Sequence, residues 1–156
     1  MSRYDILCGR PVPVRVIPEK AIDYFYGIDV GVLEGTAVAV CHVDDGRVVY
    51  DYVEKKLCNI NDWLLSLNQT YHITCGLGDT YYGIYLTALL DSRLASKIKF
   101  MDNTRPNDMA MEMEYRKFFP STQHVGFSDG NNNPAGDESI HDAMVRACFI
   151  ATRKNG

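Results

Sequence analysis

Apolar positions along the chain fall first into short runs of strand type. Three runs rich in β-branched residues follow one another closely, at 24–30, 36–43 and 47–54, and predict three consecutive strands. Gly31 to Gly35 provide a turn between the first two runs, and Asp44-Asp45-Gly46 between the second and third is a strong hairpin signal. The first half of the chain therefore predicts an antiparallel meander.

Helical spacing and strand-like runs alternate in the rest of the chain. The pattern predicts a helix at 62–69, capped by Asn59 or Asn61. After it, the pattern predicts a strand at 72–77, a helix at 83–94, a strand at 97–101, a helix at 107–118, a loop at 128–136 and a helix at 137–153. This order indicates an α/β domain with a mixed five-stranded sheet, its first three strands antiparallel, flanked by helices.

The first 23 residues differ in pattern from the rest of the chain. Pro11, Pro13 and Pro18 alternate with valines, which predicts an extended lead-in or linker with room for one short edge strand. We therefore place the domain at 24–156 and regard 1–23 as a linker, an arrangement that fits the tail of a preceding domain.

Composition narrows the class of protein. The chain has 156 residues, of which 46% are hydrophobic and 23% charged, as in soluble globular domains. No apolar run approaches the ~18 residues of a membrane span, and the N-terminus is too polar for a signal peptide. Five cysteines without a Cys-x-x-Cys pair predict reduced thiols, with Cys41, Cys75 and Cys148 in the core. A net charge of −4 argues against a module that holds DNA by charge alone.

Three aspartates occupy positions that suit a metal site. Asp29 lies in an apolar strand, where burying an unpaired carboxylate costs several kcal/mol. Asp79 directly follows the fourth strand, and Asp142 lies on the last helix. If the first and fourth strands are neighbours, all three carboxylates meet at one rim of the sheet, where Mg²⁺ or Mn²⁺ would neutralise them.

Each aspartate also has a structural interpretation. Asp29 can cap a turn with Gly31, Asp79 can be an ordinary helix cap, and Asp137 can complement the dipole of the last helix. The apolar strand around Asp29 favours the ligand interpretation there. Position alone leaves the two interpretations of Asp79 equal.

Three segments resemble the motifs of ribonuclease-H-like nucleases. They are Gly27-Ile28-Asp29-Val30-Gly31 with the strand after it, Gly78-Asp79-Thr80-Tyr81-Tyr82-Gly83, and the helix beginning Asp137-Glu138-Ser139-Ile140-His141-Asp142. Within that superfamily the chain is most similar, over 24–153, to the C-terminal nuclease domain of viral large terminases. Each motif is short, and their order together with the order of elements makes the resemblance specific.

The resemblance implies a two-metal endonuclease acting on double-stranded DNA. Asp29 would bridge two Mg²⁺ or Mn²⁺ ions, while Asp79 would bind one ion and Asp142 the other. One ion would activate water and the other would stabilise the leaving 3′ oxygen during an in-line attack on the phosphodiester. The substrate implied is concatemeric viral DNA, cut during genome packaging.

Further residues have auxiliary roles on this hypothesis. Asp137 or Glu138 would assist the third ligand, and His141 would be a proton shuttle, a phosphate contact or simply a supporting histidine. Arg105 and Arg146 are the cations to test first for contact with DNA, although Arg146 can pair with Asp142 along the helix instead.

The chain lacks the phosphate-binding loop of an ATPase. It is therefore either the nuclease part of a longer terminase or a relative acting alone. The partners implied are an ATPase motor domain in the same full-length chain, the portal and the small terminase subunit, with no membrane. A virus-encoded protein of this kind acts in the host cytoplasm, or in the nucleus of a eukaryotic host.

Other functions remain open. A RuvC-like junction resolvase or a transposase-type nuclease shares the fold and would differ in oligomeric state or junction preference. An actin-like nucleotide-binding module shares the Asp-x-Gly motif, but needs two lobes and a second glycine-rich turn. A non-catalytic docking domain would not require carboxylates at all three positions.

Overall fold

The computed structural model describes residues 2–7, 10–15, 22–120 and 138–155. Within them, seven strands form one sheet: β1 (Ser2–Leu7), β2 (Arg10–Arg15), β3 (Tyr24–Asp29), β4 (Thr36–Asp44), β5 (Arg47–Lys56), β6 (Ile73–Asp79) and β7 (Ile98–Met101). The helices are α1 (Ile60–Thr70), α2 (Gly83–Leu89), α3 (Ser92–Ala95), α4 (Arg105–Phe118) and α5 (Glu138–Asn155), and a 3₁₀ turn (Thr80–Tyr82) precedes α2.

The predicted five-stranded mixed sheet is confirmed. Its order is β5-β4-β3-β6-β7, with β3, β4 and β5 antiparallel and with β6 and β7 parallel to β3. Helices cover both faces, as in the ribonuclease-H-like arrangement expected from the sequence. The neighbouring placement of β3 and β6, on which the predicted rim of carboxylates depends, is therefore present.

An N-terminal hairpin extends this sheet. β1 pairs with β2 and, at Tyr4 opposite Tyr50, with β5. The sequence predicted room for one short edge strand here, and the structure has two. Pro11 and Pro13 lie on β2, the outermost strand, where a missing N–H costs no ladder hydrogen bond. The division into a linker and a domain at residue 23 stays a prediction.

Local capping explains where the helices begin. The Asn59 side chain accepts a hydrogen bond from the Asp62 amide at 3.0 Å, and so caps α1 as predicted. The helix predicted at 83–94 is instead two helices, because Leu90 is extended and the Asp91 side chain caps α3 by accepting from the Arg93 amide. Thr104 caps α4 two residues earlier than predicted. The loop predicted at 128–136 lies outside the described residues.

The sheet separates two apolar layers. One face packs against α4 and α5, and the other against α1, α2 and α3. The thiols of Cys41, Cys75 and Cys148 are free and buried, as predicted. In the described parts of the chain, no helix combines the length and apolar character needed to cross a bilayer.

Helix α5 lies directly on β3 at Gly27. A Cβ atom at this position would be 2.0 Å from the Ala143 carbonyl oxygen and 2.4 Å from the Ala147 amide nitrogen. Both contacts are with backbone, which cannot rotate away as a side chain can. The absence of a side chain at Gly27 therefore sets the distance between α5 and β3, and with it the positions of Asp142 and Arg146.

We expect Gly27→Ala to lower the free energy of unfolding by about 3 kcal/mol, because the helix must move away from the strand. Gly78→Ala on the adjacent strand is the matched control, since its added Cβ meets only side chains, the nearest being the Phe100 ring at 3.4 Å. Urea unfolding of both variants checks this. Equal losses in the two would contradict the account.

Candidate metal site at the end of the sheet

Asp29 and Asp79 lie side by side at one edge of the sheet. Asp29 ends β3 and Asp79 ends β6. These strands are parallel, with Gly27 opposite Leu77, so continuing the register by two residues brings the aspartates into adjacent positions about 4.8 Å apart along the sheet. Leu77 faces the α5 layer, and because side chains alternate along a strand, both carboxylates face α5 as well.

Asp142 approaches the same point from α5. Burial and, next in importance, the negative charge of Asp29 raise the pKa of Asp142 from 3.8 to about 7. The pKa of Asp29 is raised by burial too, with a smaller contribution from Asp79, and Arg146 partly offsets the rise. The three aspartates thus lie near one another, with Asp29 electrostatically coupled to both of the others.

Arg146 is the cation inside this group. Its Nη1 donates to the Ile28 carbonyl at 2.8 Å and to Asp29 Oδ1 at 3.1 Å, and only 6% of the residue is exposed. The Ser139 side chain, which shares a helix face with Arg146, also hydrogen-bonds Asp29. Arg146 therefore acts as a buried counter-ion that links α5 to β3, and this placement gives no support to the predicted contact with nucleic acid.

Asp79 is fixed by the backbone that comes after it. Its Oδ1 accepts a hydrogen bond from the Tyr81 amide at 2.9 Å and caps the 3₁₀ turn. The cap and ligand interpretations are compatible, because the bond uses one of two carboxylate oxygens. The Tyr81 ring beside it is 80% exposed.

The auxiliary residues predicted on the last helix have different surroundings. His141 Nε2 is hydrogen-bonded to Glu112 of α4, and the His141 ring meets Tyr115 edge-on, so this side chain joins the two helices. Its proximity offsets a small part of the rise in the pKa of Asp142 that burial and Asp29 cause. Glu138 lies one turn before Asp142, and the two side chains line one cavity between α4 and α5, as expected for a shared helix face. Asp137 lies outside the described residues.

Arg105 begins α4 and is exposed. Strand β7 ends with Met101 opposite Asp79, four residues before this arginine. The backbone of Arg105 therefore lies near the end of the sheet that carries Asp29 and Asp79, and its side chain, unlike that of Arg146, is exposed to solvent. Its contact with nucleic acid stays a prediction.

A cavity of about 300 Å³ opens between α4 and α5 at Asp142. We call it the acidic cleft, and its lining residues include Asp108, Glu112, Glu138, Asp142 and Arg146. The sequence pattern does not indicate Asp108 and Glu112, because their approach to Asp142 depends on how two helices pack. Ser139 was not predicted either, although the spacing of residues 139, 142 and 146 places them on one helix face and could have indicated it.

The donor chemistry of the three aspartates fits a hard divalent cation. Oxygen ligands suit Mg²⁺ or Mn²⁺, and a cation would offset the burial and the negative charge of Asp29 that together raise the pKa of Asp142. The side chains of residues 22–120 and 138–153 nevertheless include no group of three or more His, Cys, Asp or Glu placed closely enough to hold an ion. The chemistry fits, and the present spacing is wider than a closed coordination shell requires.

No family model matches the chain, and a search of the curated proteins finds none with significant similarity.

The raised pKa of Asp142 has a consequence for stability. The folded protein binds this proton more tightly than the unfolded chain, so stability is fully present at acid pH and falls as the pH rises from 3.8 to about 7. We expect Asp142→Asn, without bound metal, to raise the free energy of unfolding by roughly 1 to 3 kcal/mol at pH 8 and far less at pH 4. Asp44→Asn, at an exposed strand end, is the control. Urea unfolding across this pH range in EDTA would contradict the account if the Asp142 variant gained nothing at pH 8.

Proposed function

We propose that the protein is a metal-dependent endonuclease that hydrolyses phosphodiester bonds of double-stranded DNA. The observation that carries this proposal is that Asp29, Asp79 and Asp142, from two strands and a helix, lie at one edge of the sheet, near enough for Asp29 to interact electrostatically with the other two. A fold that needed these positions only for stability would gain from apolar or neutral residues there.

Asp29, Asp79 and Asp142 would hold two Mg²⁺ or Mn²⁺ ions, which supply an activated water and stabilise the leaving 3′ oxygen when bound. Glu138, one turn before Asp142 on the same helix face, would assist them. The chain's own groups prepare the site. Arg146 and Ser139 hold Asp29 in one orientation, the Tyr81 amide holds Asp79, and α5 excludes water from the inner side of the rim.

The geometry also divides the work between the carboxylates. Asp29 keeps a counter-ion in Arg146, which favours its ionised form. For Asp142, whose pKa is about 7, the carboxyl can take up or release a proton at neutral pH. Asp142 is therefore the member of the group whose charge adapts to a cation or phosphate bound beside it.

The finer role rests on the order of the motifs. Their similarity to viral large terminases supports cleavage of concatemeric viral DNA during genome packaging. On this proposal the nuclease works beside an ATPase motor domain of the same full-length chain, together with the portal and the small terminase subunit. The protein is then virus-encoded and acts in the host cytoplasm, or in the nucleus of a eukaryotic host.

We expect Mn²⁺ or Mg²⁺ to support cleavage of supercoiled plasmid with little sequence preference. Asp29→Asn should lower the cleavage rate by about 100-fold or more, since it removes the carboxylate that would contact both metal ions. Gel analysis of plasmid cleavage measures the rate, and calorimetry of Mn²⁺ binding should show weaker affinity in the variant.

Asp45→Asn is the matched control. Asp45 is exposed in the β4–β5 hairpin with a φ of 52°, a conformation that asparagine tolerates as well as aspartate. This variant should retain wild-type cleavage. Equal, metal-independent activity in the wild type and Asp29→Asn would exclude the proposed function.

A further inference from the structure

A second cavity, of about 310 Å³, opens at the same edge of the sheet, on the β5 side of Asp29. The turn after β3, the start of β4, the end of β5 and the first residues of α1 surround it. We call it the Lys56 cleft, and it is lined by Val30, Gly31, Val32, Thr36, Lys56, Leu57, Cys58, Asn59, Ile60 and Asn61.

The two cavities beside Asp29 differ in charge. Of the described residues that line the Lys56 cleft, Lys56 alone is charged at neutral pH, and the others are neutral. The acidic cleft contains four carboxyl groups and one arginine, which already bonds Asp29. A polyanion that reaches the aspartates is therefore attracted on the β5 side and repelled on the α4 side.

Lys56 is positioned without being neutralised. Its Nζ lies 4.6 Å from the centre of the Trp63 ring, and Trp63 Nε1 donates to the Tyr52 hydroxyl at 2.9 Å. In residues 22–120 and 138–153, no salt bridge with Lys56 is formed. An aromatic face restrains the ammonium group at little cost to its charge. The lysine thus keeps its capacity to bind an anion.

The strand register fixes how far Lys56 lies from the aspartates. Lys56 is opposite Thr36 on β4, and Ala37, the next residue of that strand, is opposite Asp29 on β3. Two strand spacings separate β5 from β3, which corresponds to about 10 Å. This spacing separates the backbones: the Lys56 side chain lies over Trp63 on the α1 face, whereas Asp29 faces α5, so a nucleic-acid strand that contacts both groups crosses the end of the sheet.

We propose that the Lys56 cleft binds a backbone phosphate of the DNA substrate next to the scissile one, and so sets the direction in which the strand crosses the site. This inference rests on the proposed nuclease function and adds the substrate's path to it. The Thr36, Asn59 and Asn61 positions supply a neutral polar wall to the cleft, and the ammonium of Lys56 supplies the charge.

Binding of a fluorescein-labelled short DNA duplex tests the proposal. Anisotropy is measured in Ca²⁺ over a range of salt concentrations, with a gel to verify that the duplex stays intact. Lys56→Gln should weaken binding by roughly 3- to 10-fold and reduce the slope of log affinity against log salt by about 0.9, the value for one lost phosphate contact. Lys56→Arg should bind as the wild type does.

Arg47→Gln is the matched control, because it removes one charge from the opposite end of the same strand. If Lys56→Gln and Arg47→Gln both bind like a wild type that cleaves DNA, the cleft proposal is overturned and the nuclease proposal stands. If Lys56→Gln alone loses affinity and salt dependence, the cleft proposal is supported.

Amide shifts distinguish failure of the cleft from failure of the nuclease. Inorganic phosphate should move the amide resonances of Gly31, Thr36 and Asn61 in the wild type and leave them unmoved in Lys56→Gln. If phosphate causes these shifts in a protein that neither binds nor cuts DNA, the cleft is an anion site and the proposed nuclease function is wrong. Unmoved resonances in the wild type would overturn the cleft itself.

Discussion

The contact of α5 with β3 at Gly27 determines the geometry of the candidate site. Because Gly27 has no side chain, the backbone of Ala143 and Ala147 lies against the strand. The helix then places Asp142 one residue before this contact and Arg146 within it. A longer side chain at Gly27 would lift the helix and separate both groups from Asp29. The same contact between α5 and β3 therefore packs the core and positions the side chains of the site.

That close contact creates an electrostatic conflict at the edge of the sheet. It brings carboxylates from three elements into a half-buried space with one arginine among them. Arg146 compensates part of the charge of Asp29, and burial together with the remaining negative charge of Asp29 raises the pKa of Asp142 to about 7. Burying charges beyond what their partners neutralise lowers stability. A site that keeps such an imbalance is suited to bind a cation that completes the neutralisation.

The sequence predicted the parts of this arrangement that depend on local pattern. Alternating β-branched runs, the hairpin at Asp45 and the cap at Asn59 are encoded within a few residues, and the structure confirms the sheet they build. Contacts between elements were harder to predict from the sequence. The inward direction of Arg146 and the approach of Glu112 to His141 depend on how α5 lies on β3 and α4, which spacing along the chain does not express. The break before Asp91 was missed because apolar periodicity continues across it.

A second buried acid in the same sheet clarifies what is unusual at the edge. Asp51 on β5 is buried, and its Oδ2 lies 2.7 Å from His42 Nδ1, beneath the rings of Tyr24 and Tyr71. There the fold gives a core carboxylate a dedicated partner. At the edge, Asp29 and Asp142 face a single guanidinium, which hydrogen-bonds Asp29. Asp51 is therefore paired where only packing is involved, whereas Asp142 keeps a pKa raised by burial and by the charge of Asp29 at the end of the sheet, beside the acidic cleft.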